Sequence, residues 1–298
     1  MNARIRAAID IGTNSVKLTV MRLGGRRPKS LYEEVDLSRP GEGVRRTGRL
    51  DPAAARRGVR AVRRYVRIAR RRGDPSPIIV ATQWLRTARD RGRFLAALGT
   101  PCRILTEREE ARLSYLGART MLGVDAPMVD LGGGSAEFMV GRSGRLARSA
   151  TLPLGAVYLT EKFLRHDPPL PGELAAVDRY VVSKLGGFRP ARAKRVVGIG
   201  GSVAALAYSL GRVRRFDPEK FNGARVSYAA LAALERRLAS VPTRIRVRRY
   251  RFEPGRADVI VAGARVLLRF MEWARARTLI VCTYGVRHGA VLDSRRPR

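Results

Sequence analysis

Runs of apolar residues alternate with polar segments that contain glycine and proline along the whole chain. Apolar patterns at 4–11 and 15–22 predict two paired strands around a turn at Gly12. Asp51 and Pro52 have the pattern of a helix N-terminus that is followed by an apolar stripe. The remaining segments predict strands at 31–37, 78–81, 102–105, 127–131, 136–141, 145–152, 195–198 and 278–282, and helices at 51–72, 107–122, 155–165, 171–185, 227–239 and 255–273, with a further helix opening at 200–202.

The same strand, turn and strand pattern occurs once in each half of the chain. An apolar strand carries Asp10 in the first half and Asp130 in the second, and each is followed by small residues. The two turns consist of Gly12, Thr13, Asn14 and Ser15, and of Gly132, Gly133, Gly134 and Ser135. Backbone N–H groups in such turns can surround phosphate oxygens, while an aspartate can hold a divalent cation against them.

This repeat predicts an α/β fold of two similar domains that close on a phosphate-binding cleft. A single Rossmann sheet is disfavoured, because there the glycine motif opens a helix, whereas a second strand follows each turn here. The pause at 123–127 places the domain boundary, giving an N-terminal domain at 1–124 and a C-terminal domain at 125–298. This prediction allows the last residues of the chain to pack on the first domain.

Composition points to an anionic partner without proving one. The formal net charge of the 298 residues is +35, and a field of this sign recruits polyanions, including nonspecific ones. Arginine supplies most of the positive charge, and its fork of donors suits phosphate oxygens. A GC-rich genome would also raise the arginine content, without any selection for phosphate binding. The arginines of the 51–72 helix are either a solvated face or a polyanion-binding face.

Other classes of protein lack support in the sequence. Cys102 and Cys282 have no metal-ligand spacing and are interpreted as buried reduced thiols. No apolar run reaches the roughly 18 residues of a membrane span, so we expect a cytoplasmic protein with no membrane partner.

Carboxylates near the expected cleft are the candidates for chemistry. Asp10 and Asp130 lie in apolar strands, where each either caps its own turn or has a cation nearby. Glu137 shares a strand face with Ser135 and can point into the same cleft. An acidic cluster at the start of the 107–122 helix consists of Glu107, Glu109 and Glu110. The helix N-terminus accounts for one or two of these, and a remaining carboxylate beside a phosphate could accept a proton from water.

At this point the ordered motifs resemble those of the exopolyphosphatase and guanosine pentaphosphate phosphatase (Ppx/GppA) family, within the actin, Hsp70 and sugar kinase superfamily. The resemblance covers effectively the whole chain and includes Ala8–Leu18, which looks like the first phosphate motif of that family. Further matches follow in the family's order at 81–86, 109–117, 130–135, 152–160, 198–202, 256–260 and 284–289. The length is similar to that of the short, two-domain branch.

The resemblance implies two actin-like (ribonuclease H-like) domains flanking an active-site cleft. It assigns Glu110 as the base that activates water, and Glu137 as a second catalytic carboxylate at the metal and the attacking water. It places Mg²⁺ or Mn²⁺ at Asp10 and Asp130, and substrate phosphate at Arg86. The remaining phosphate-binding positions are Gly12, Thr13, Asn14, Ser15, Gly132, Gly133, Gly134, Ser135, Gly200, Gly201 and Ser202. Positioning and charge neutralisation would supply most of the catalysis.

Some positions depart from the family pattern around Arg86. Gln83 and Trp84 replace small residues, Thr87 replaces an acidic residue, and Asp90 replaces asparagine. Ala136 replaces a common threonine. These departures affect the expected substrate preference more than the expected reaction.

The leading hypothesis is release of terminal orthophosphate from inorganic polyphosphate, with guanosine pentaphosphate 5′-hydrolysis as the alternative. The run Arg244–Arg251 would then line a channel for a long polyphosphate, or form a plain solvated edge. An ATP-dependent small-molecule kinase is less favoured, because a kinase must exclude water from the attacking position rather than activate it. A non-catalytic polyanion binder rests on the arginine excess alone, with salt-sensitive RNA binding as its consequence. A homodimer is compatible with the resemblance.

Overall fold

The computed structural model describes residues 4–24, 28–188, 191–211, 222–250 and 254–294. The chain forms two compact units, one of residues 1–123 with 284–298 and the other of residues 124–283. The boundary expected after residue 124 lies one residue beyond this division. The segment from Tyr284 onward clusters with the first unit, which the prediction had allowed for the last residues of the chain.

The first unit is built on a five-stranded sheet. Its strands are β1 Arg4–Ile11, β2 Val16–Leu23, β3 Lys29–Asp36, β4 Ile78–Ala81 and β5 Arg103–Ile104, in the order β3-β2-β1-β4-β5. The first three pair antiparallel, and β4 and β5 continue the sheet in parallel with β1. The paired strands around Gly12 and the third strand are confirmed.

The two longest helices of the first unit begin at residues whose side chains cap them. The helices of this part of the chain are α1 Val44–Thr47, α2 Pro52–Arg71, α3 Gln83–Thr87, α4 Arg91–Leu98 and α5 Glu107–Leu122. Asp51 accepts a hydrogen bond from the Ala54 N–H at 2.7 Å, and Thr106 and Glu109 form a reciprocal capping box at the start of α5. The predicted α2 and α5 are confirmed, whereas α1 and α4 were not predicted.

The second unit contains a six-stranded sheet with the same underlying order. Its strands are β6 Met128–Leu131, β7 Ala136–Arg142, β8 Arg145–Leu152, β9 Arg195–Ile199, β10 Arg225–Ser227 and β11 Thr278–Cys282, in the order β10-β11-β9-β6-β7-β8. An antiparallel three-stranded meander followed by parallel strands occurs in both sheets. The predicted duplication of an α/β unit is therefore confirmed in the strand order, with β10 as an addition to the second copy.

Helices of the second unit cover its sheet with apolar side chains. They are α6 Ala156–Phe163, α7 Pro171–Gly186, α8 Gly201–Ser209, α9 Tyr228–Ala239, α10 Thr243–Tyr250, α11 Pro254–Ala257 and α12 Ile260–Trp273. The helix expected at 255–273 is two helices, α11 and α12. The core combines these helices with the strands around Val129, Phe138 and Val281, which are fully buried.

The arginine run at 244–251 divides between surface and interior. Arg244, Arg248 and Arg249 are exposed, as a solvated edge would be, whereas Arg246 is buried. The described part of the run is mostly α10, and Arg246 is one of the most buried side chains. The Arg246 Nε donates to the Leu238 carbonyl at 2.8 Å, and its Nη1 donates to the Ala257 carbonyl at 3.3 Å. This arginine joins three helices, so it is neither a solvated edge nor a channel wall; Arg251 lies outside the described residues.

The last helix, α13 Val286–Asp293, belongs to the first unit. Its apolar residues Val286, Ala290 and Val291 pack in one cluster with Ala8 of β1 and Leu113 of α5. A Cβ on Gly289 would overlap the Leu113 carbonyl oxygen, so the two helices approach backbone to backbone. This burial explains why the end of the chain packs on the first unit.

Candidate active site

The first turn lies between β1 and β2 and is closed by its own backbone. The Gly12 N–H donates to the Ser15 carbonyl at 2.9 Å. Loop residues support the turn from outside, because the Gly41 N–H donates to the Thr13 carbonyl at 3.0 Å and the Arg39 N–H donates to the Asn14 carbonyl at 3.2 Å. The carbonyl groups at the tip of the turn thus accept hydrogen bonds from the backbone of the following loop.

Asp10 is a buried carboxylate directly before this turn. Its cross-strand neighbour in the β1–β2 register is Lys17, whose Nζ lies 3.6 Å from Asp10 Oδ2. Asp10 Oδ1 is buried and has no hydrogen-bond partner within the described ranges. A buried orphan carboxylate oxygen is costly, and a cation is the partner that it suits.

The second turn repeats the first in the second unit. The Gly132 N–H donates to the Ser135 carbonyl at 3.0 Å, which matches the bond that closes the Gly12 turn. Asp130 and Glu137 face each other across β6 and β7, and the Ser135 hydroxyl donates to Glu137 Oε1 at 2.8 Å. Asp130, Ser135 and Glu137 are therefore brought together, as predicted.

Helix α6 supports the second turn in place of a loop. The Ala156 N–H donates to the Gly132 carbonyl and the Tyr158 N–H donates to the Gly133 carbonyl, both at 3.0 Å. A Cβ on Gly155 would overlap the Gly133 carbonyl, so only glycine allows this approach. The turn geometry thus depends on a residue twenty positions away from it.

The two turns differ at one equivalent position. Lys17 lies seven residues after Asp10, and Glu137 lies seven residues after Asp130. Each is the cross-strand partner of its aspartate. The Gly12 turn is therefore accompanied by a carboxylate and an ammonium group, whereas the Gly132 turn is accompanied by two carboxylates. Lys17 was not assigned as a site residue from the sequence, although the equal spacing in the two copies could have revealed it.

A third glycine segment follows β9, which pairs in parallel with β6. Ile199 is the register partner of Asp130, so Gly200 comes next to Asp130 at the carboxyl end of the sheet. Gly200 has a φ of 114°, which favours glycine. A Cβ on Gly201 would overlap the guanidinium group of Arg256. Arg256 thus lies against this turn, a contact that the sequence did not predict.

The acidic cluster at the start of α5 separates into three different environments. Glu109 caps the helix, since its Oε2 accepts from the Thr106 N–H at 2.8 Å, and it pairs with Arg103. The Thr106 N–H lowers the pKa of Glu109. The Glu107 side chain is 62% exposed, whereas Glu110 is 6% exposed as a residue. Glu109 therefore has a capping role, Glu107 lies at the surface with its Oε1 3.9 Å from Arg86 Nη2, and Glu110 is the buried carboxylate of the three.

Glu110 is fixed by Arg86. The Arg86 Nη1 donates to Glu110 Oε2 at 2.8 Å and to the Leu105 carbonyl at 2.6 Å. Arg86 belongs to α3, which begins just after β4, and α5 begins just after β5. Since β1, β4 and β5 run parallel, the Gly12 turn, Arg86 and Glu110 follow the same edge of one sheet.

Trp84, one of the departures from the family pattern, anchors α3. Its Nε1 donates to the Ile11 carbonyl at 2.8 Å, and its ring packs edge to face against Phe94. Asp90 Oδ1 accepts from the Leu50 N–H at 3.0 Å. These residues have structural partners in this chain, and they hold the helix of Arg86 against the end of β1.

The model of the Ppx/GppA phosphatase family matches residues 19–296. The chain belongs to the Ppx/GppA phosphatase family. It is similar to exopolyphosphatase 2 of Mycobacterium tuberculosis, with 32% identity over 294 residues that cover 91% of each chain.

Solved structures of Ppx/GppA proteins agree with the fold. A family member from Aquifex aeolicus is 28% identical, with a TM-score of 0.85 and 98% of both chains covered. An exopolyphosphatase from Cytophaga hutchinsonii has a TM-score of 0.87 over 98% of this chain and 97% of its own, but at 20% identity it supports the fold alone. The chain therefore has the predicted actin-like α/β fold and is a hydrolase acting on phosphoanhydride bonds.

Metal binding and membrane association of this Ppx/GppA hydrolase both depend on its described side chains and helices. Among the residues that the structure describes, no three His, Cys, Asp or Glu side chains are grouped as a complete metal site. Mg²⁺ commonly takes one or two carboxylates together with substrate phosphates and waters, so single aspartates still fit it. None of the helices in the described ranges combines the length and apolar character needed to cross a membrane.

Proposed function

We propose that the chain is an exopolyphosphatase that releases terminal orthophosphate from inorganic polyphosphate. The observation that carries this proposal is the buried Glu110, fixed by Arg86 at the sheet edge that also carries the Gly12 turn. The similarity to exopolyphosphatase 2 of M. tuberculosis supports polyphosphate as the substrate.

In the proposed reaction Glu110 accepts a proton from water, and the water oxygen forms a bond to the terminal phosphorus. The bond from that phosphorus to the bridging oxygen breaks, and the shortened polyphosphate leaves with the electron pair. Arg86 has five N–H donors, enough to orient Glu110 and to bind a phosphate oxygen. The Gly12 and Gly132 turns bind phosphate oxygens through backbone N–H groups, with Gly200, Gly201 and Ser202 as further phosphate contacts.

Asp10 and Asp130 are the residues that would hold Mg²⁺ or Mn²⁺. Such an ion would neutralise charge on the phosphoryl oxygens when bound. The buried, unpartnered Oδ1 of Asp10 supports this assignment. Glu137, oriented by the Ser135 hydroxyl, is proposed to position the attacking water.

The test compares Glu110→Gln with Glu109→Gln. Phosphate release is measured with long polyphosphate, tripolyphosphate and guanosine pentaphosphate, with Mg²⁺ or Mn²⁺ and after chelation. Loss of a general base lowers turnover by about 10²- to 10⁴-fold. Glu109→Gln removes a neighbouring carboxylate but retains the capping box, which accepts glutamine, so it should keep turnover near that of the parent.

A folded Glu110→Gln protein with parental turnover would contradict the assignment of the base. A parent that hydrolyses guanosine pentaphosphate but not polyphosphate would retain the mechanism and replace the substrate.

A further inference from the structure

A cavity of about 490 Å³ lies in the first unit between the end of β3 and helix α2. One side is formed by Asp36, Leu37 and Ser38, and the other by Arg57, Arg60, Ala61 and Arg64. Its volume is within the range of about 300–1,000 Å³ that small-molecule sites occupy. Its lining contains three guanidinium groups and one carboxylate, Asp36, whose Oδ2 lies 3.5 Å from Arg64 Nη2. The excess of positive charge makes an anion the suitable ligand.

Two of these arginines are held in position by neighbours. Arg57 Nε donates to the Ser38 carbonyl at 3.0 Å, and its Nη2 donates to Glu42 at 2.8 Å. Arg64 Nη2 lies 2.6 Å from a carboxylate oxygen of Glu34. Each guanidinium has five N–H donors, so these contacts orient the group and leave donors for a ligand.

Arg60 lacks such a partner. It is exposed on α2, and no hydrogen bond or ion pair joins it to any residue that the structure describes. It lies three residues after Arg57 and four before Arg64, on the same helix face, where like charges are unfavourable. Nine arginines lie between positions 56 and 72. An anion bound at Arg60 would relieve this repulsion.

The lining also contains a buried hydroxyl. Ser38 is 9% exposed, and its Oγ is buried with no hydrogen-bond partner among the described residues. A buried hydroxyl without a partner is uncommon, and a phosphate oxygen is an acceptor that it could use.

The cavity is connected to the predicted phosphate-binding turn. Ser38 is followed by Arg39, whose N–H donates to the Asn14 carbonyl, and Gly41 donates to the Thr13 carbonyl. One peptide unit and one hydrogen bond therefore separate the cavity wall at Ser38 from the Gly12 turn. These links span a distance of roughly 10 Å or less. A chain of phosphates whose end lies at the turn could extend to the cavity.

We propose that this cavity, with Arg60 as its central donor, binds phosphate groups of polyphosphate that lie behind the hydrolysed end. The inference rests on the proposed function, since it assumes that the terminal phosphate lies at the Gly12 turn. It selects the polyanion-binding interpretation for this part of the α2 face.

Binding affinity tests the proposal without relying on turnover. Calorimetric titrations with long-chain polyphosphate and with tripolyphosphate would use Glu110→Gln protein that also carries either Arg60→Gln or Arg71→Gln. Arg71 is an exposed arginine of the same helix that does not line the cavity. Because both second changes remove one positive charge, Arg71→Gln controls for the general field.

We expect Arg60→Gln to raise the Kd for long-chain polyphosphate about tenfold relative to Arg71→Gln, as loss of a charged hydrogen bond would. The increase for tripolyphosphate should be smaller. Equal losses from the two arginine changes, equal losses with the two ligands, or no loss would each overturn the proposal. A parent that binds long chains through Arg60 but does not hydrolyse them would retain the cavity and overturn only the proposed function.

Discussion

His288 should make the first unit less stable in mild acid. It is completely buried on α13, its Nε2 lies 2.8 Å from Glu33 Oε1, and the Gly285 N–H donates to its Nδ1 at 3.3 Å. Nδ1 is thus an acceptor, and Nε2 carries the proton of a neutral ring. A second proton would replace the Gly285 hydrogen bond by a contact between two donors.

The sign of the pH effect follows from this environment. Burial lowers the pKa of His288 below its ordinary value of 6.5, with Arg287 and Lys17 acting in the same direction and Glu33 opposing them. Below about pH 6.5 the unfolded chain binds a proton that the folded unit does not, so stability falls as the pH falls. Between about pH 7.5 and pH 5 this linkage costs up to about 2 kcal/mol, the limit that applies if the folded-state ring binds no proton in that range.

Urea unfolding at these two pH values can isolate the effect. The chain has two tryptophans, Trp84 in the first unit and Trp273 in the second. In a Trp273→Phe background, Trp84 fluorescence reports the first unit. We expect the unfolding free energy of His288→Gln to fall less than that of the parent between the two pH values, by up to about 2 kcal/mol. His166→Gln, at the exposed histidine of the second unit, should keep the parental pH dependence.

The comparison avoids the titration of Glu33. Burial raises the pKa of Glu33, but Arg287 and His288 more than offset it and hold that pKa well below its ordinary value of 4.5. Its contribution is therefore lost at lower pH than the window used here. If His288→Gln and the parent lost equal stability between the two pH values, the neutral buried ring would be refuted.

Two glycine substitutions test close backbone contacts, one between α13 and α5 and one between the start of α6 and the Gly132 turn. Gly289→Ala should destabilise the first unit by about 2 kcal/mol or more in urea unfolding, because its Cβ would overlap the Leu113 carbonyl. The control is Gly172→Ala, whose Cβ meets nothing within 4 Å and which should not lower the unfolding free energy. Equal losses of stability in the two variants would contradict this packing. Gly155→Ala should lower phosphate release about 10²-fold by displacing the Gly133 carbonyl. Parental turnover in a folded Gly155→Ala protein would show that the second turn tolerates displacement.

Sequence patterns predicted the parts of the site that are set locally. Both turns close with the same bond, Gly12 to Ser15 and Gly132 to Ser135, because each is a short hairpin turn of small residues. The capping signal of α2, Asp51 followed by Pro52, likewise acts within three or four residues. The pairing of Asp130 with Glu137 follows from strand register once the turn is fixed.

Pattern and charge could not rank the carboxylates of α5, because all three occupy the first turn of one helix; in the sequence, only the family resemblance singled out Glu110. Burial and the contact with Arg86, 24 residues earlier, distinguish Glu110 from its neighbours. The position of Arg246 inside a helix junction was missed for the same reason. Charge runs show where arginines occur, whereas only packing decides which of them are buried.

The sequence by itself determined the repeated strand, turn and strand units, the main helices and the family, because periodicity, capping and ordered motifs are encoded over short segments. The tertiary structure alone decided where the end of the chain packs and which side chains meet. Glu33 and His288 are 255 residues apart, yet they share a buried hydrogen bond. Such contacts depend on the folded sheet and helices, since apolar burial, and not local pattern, brings distant segments together.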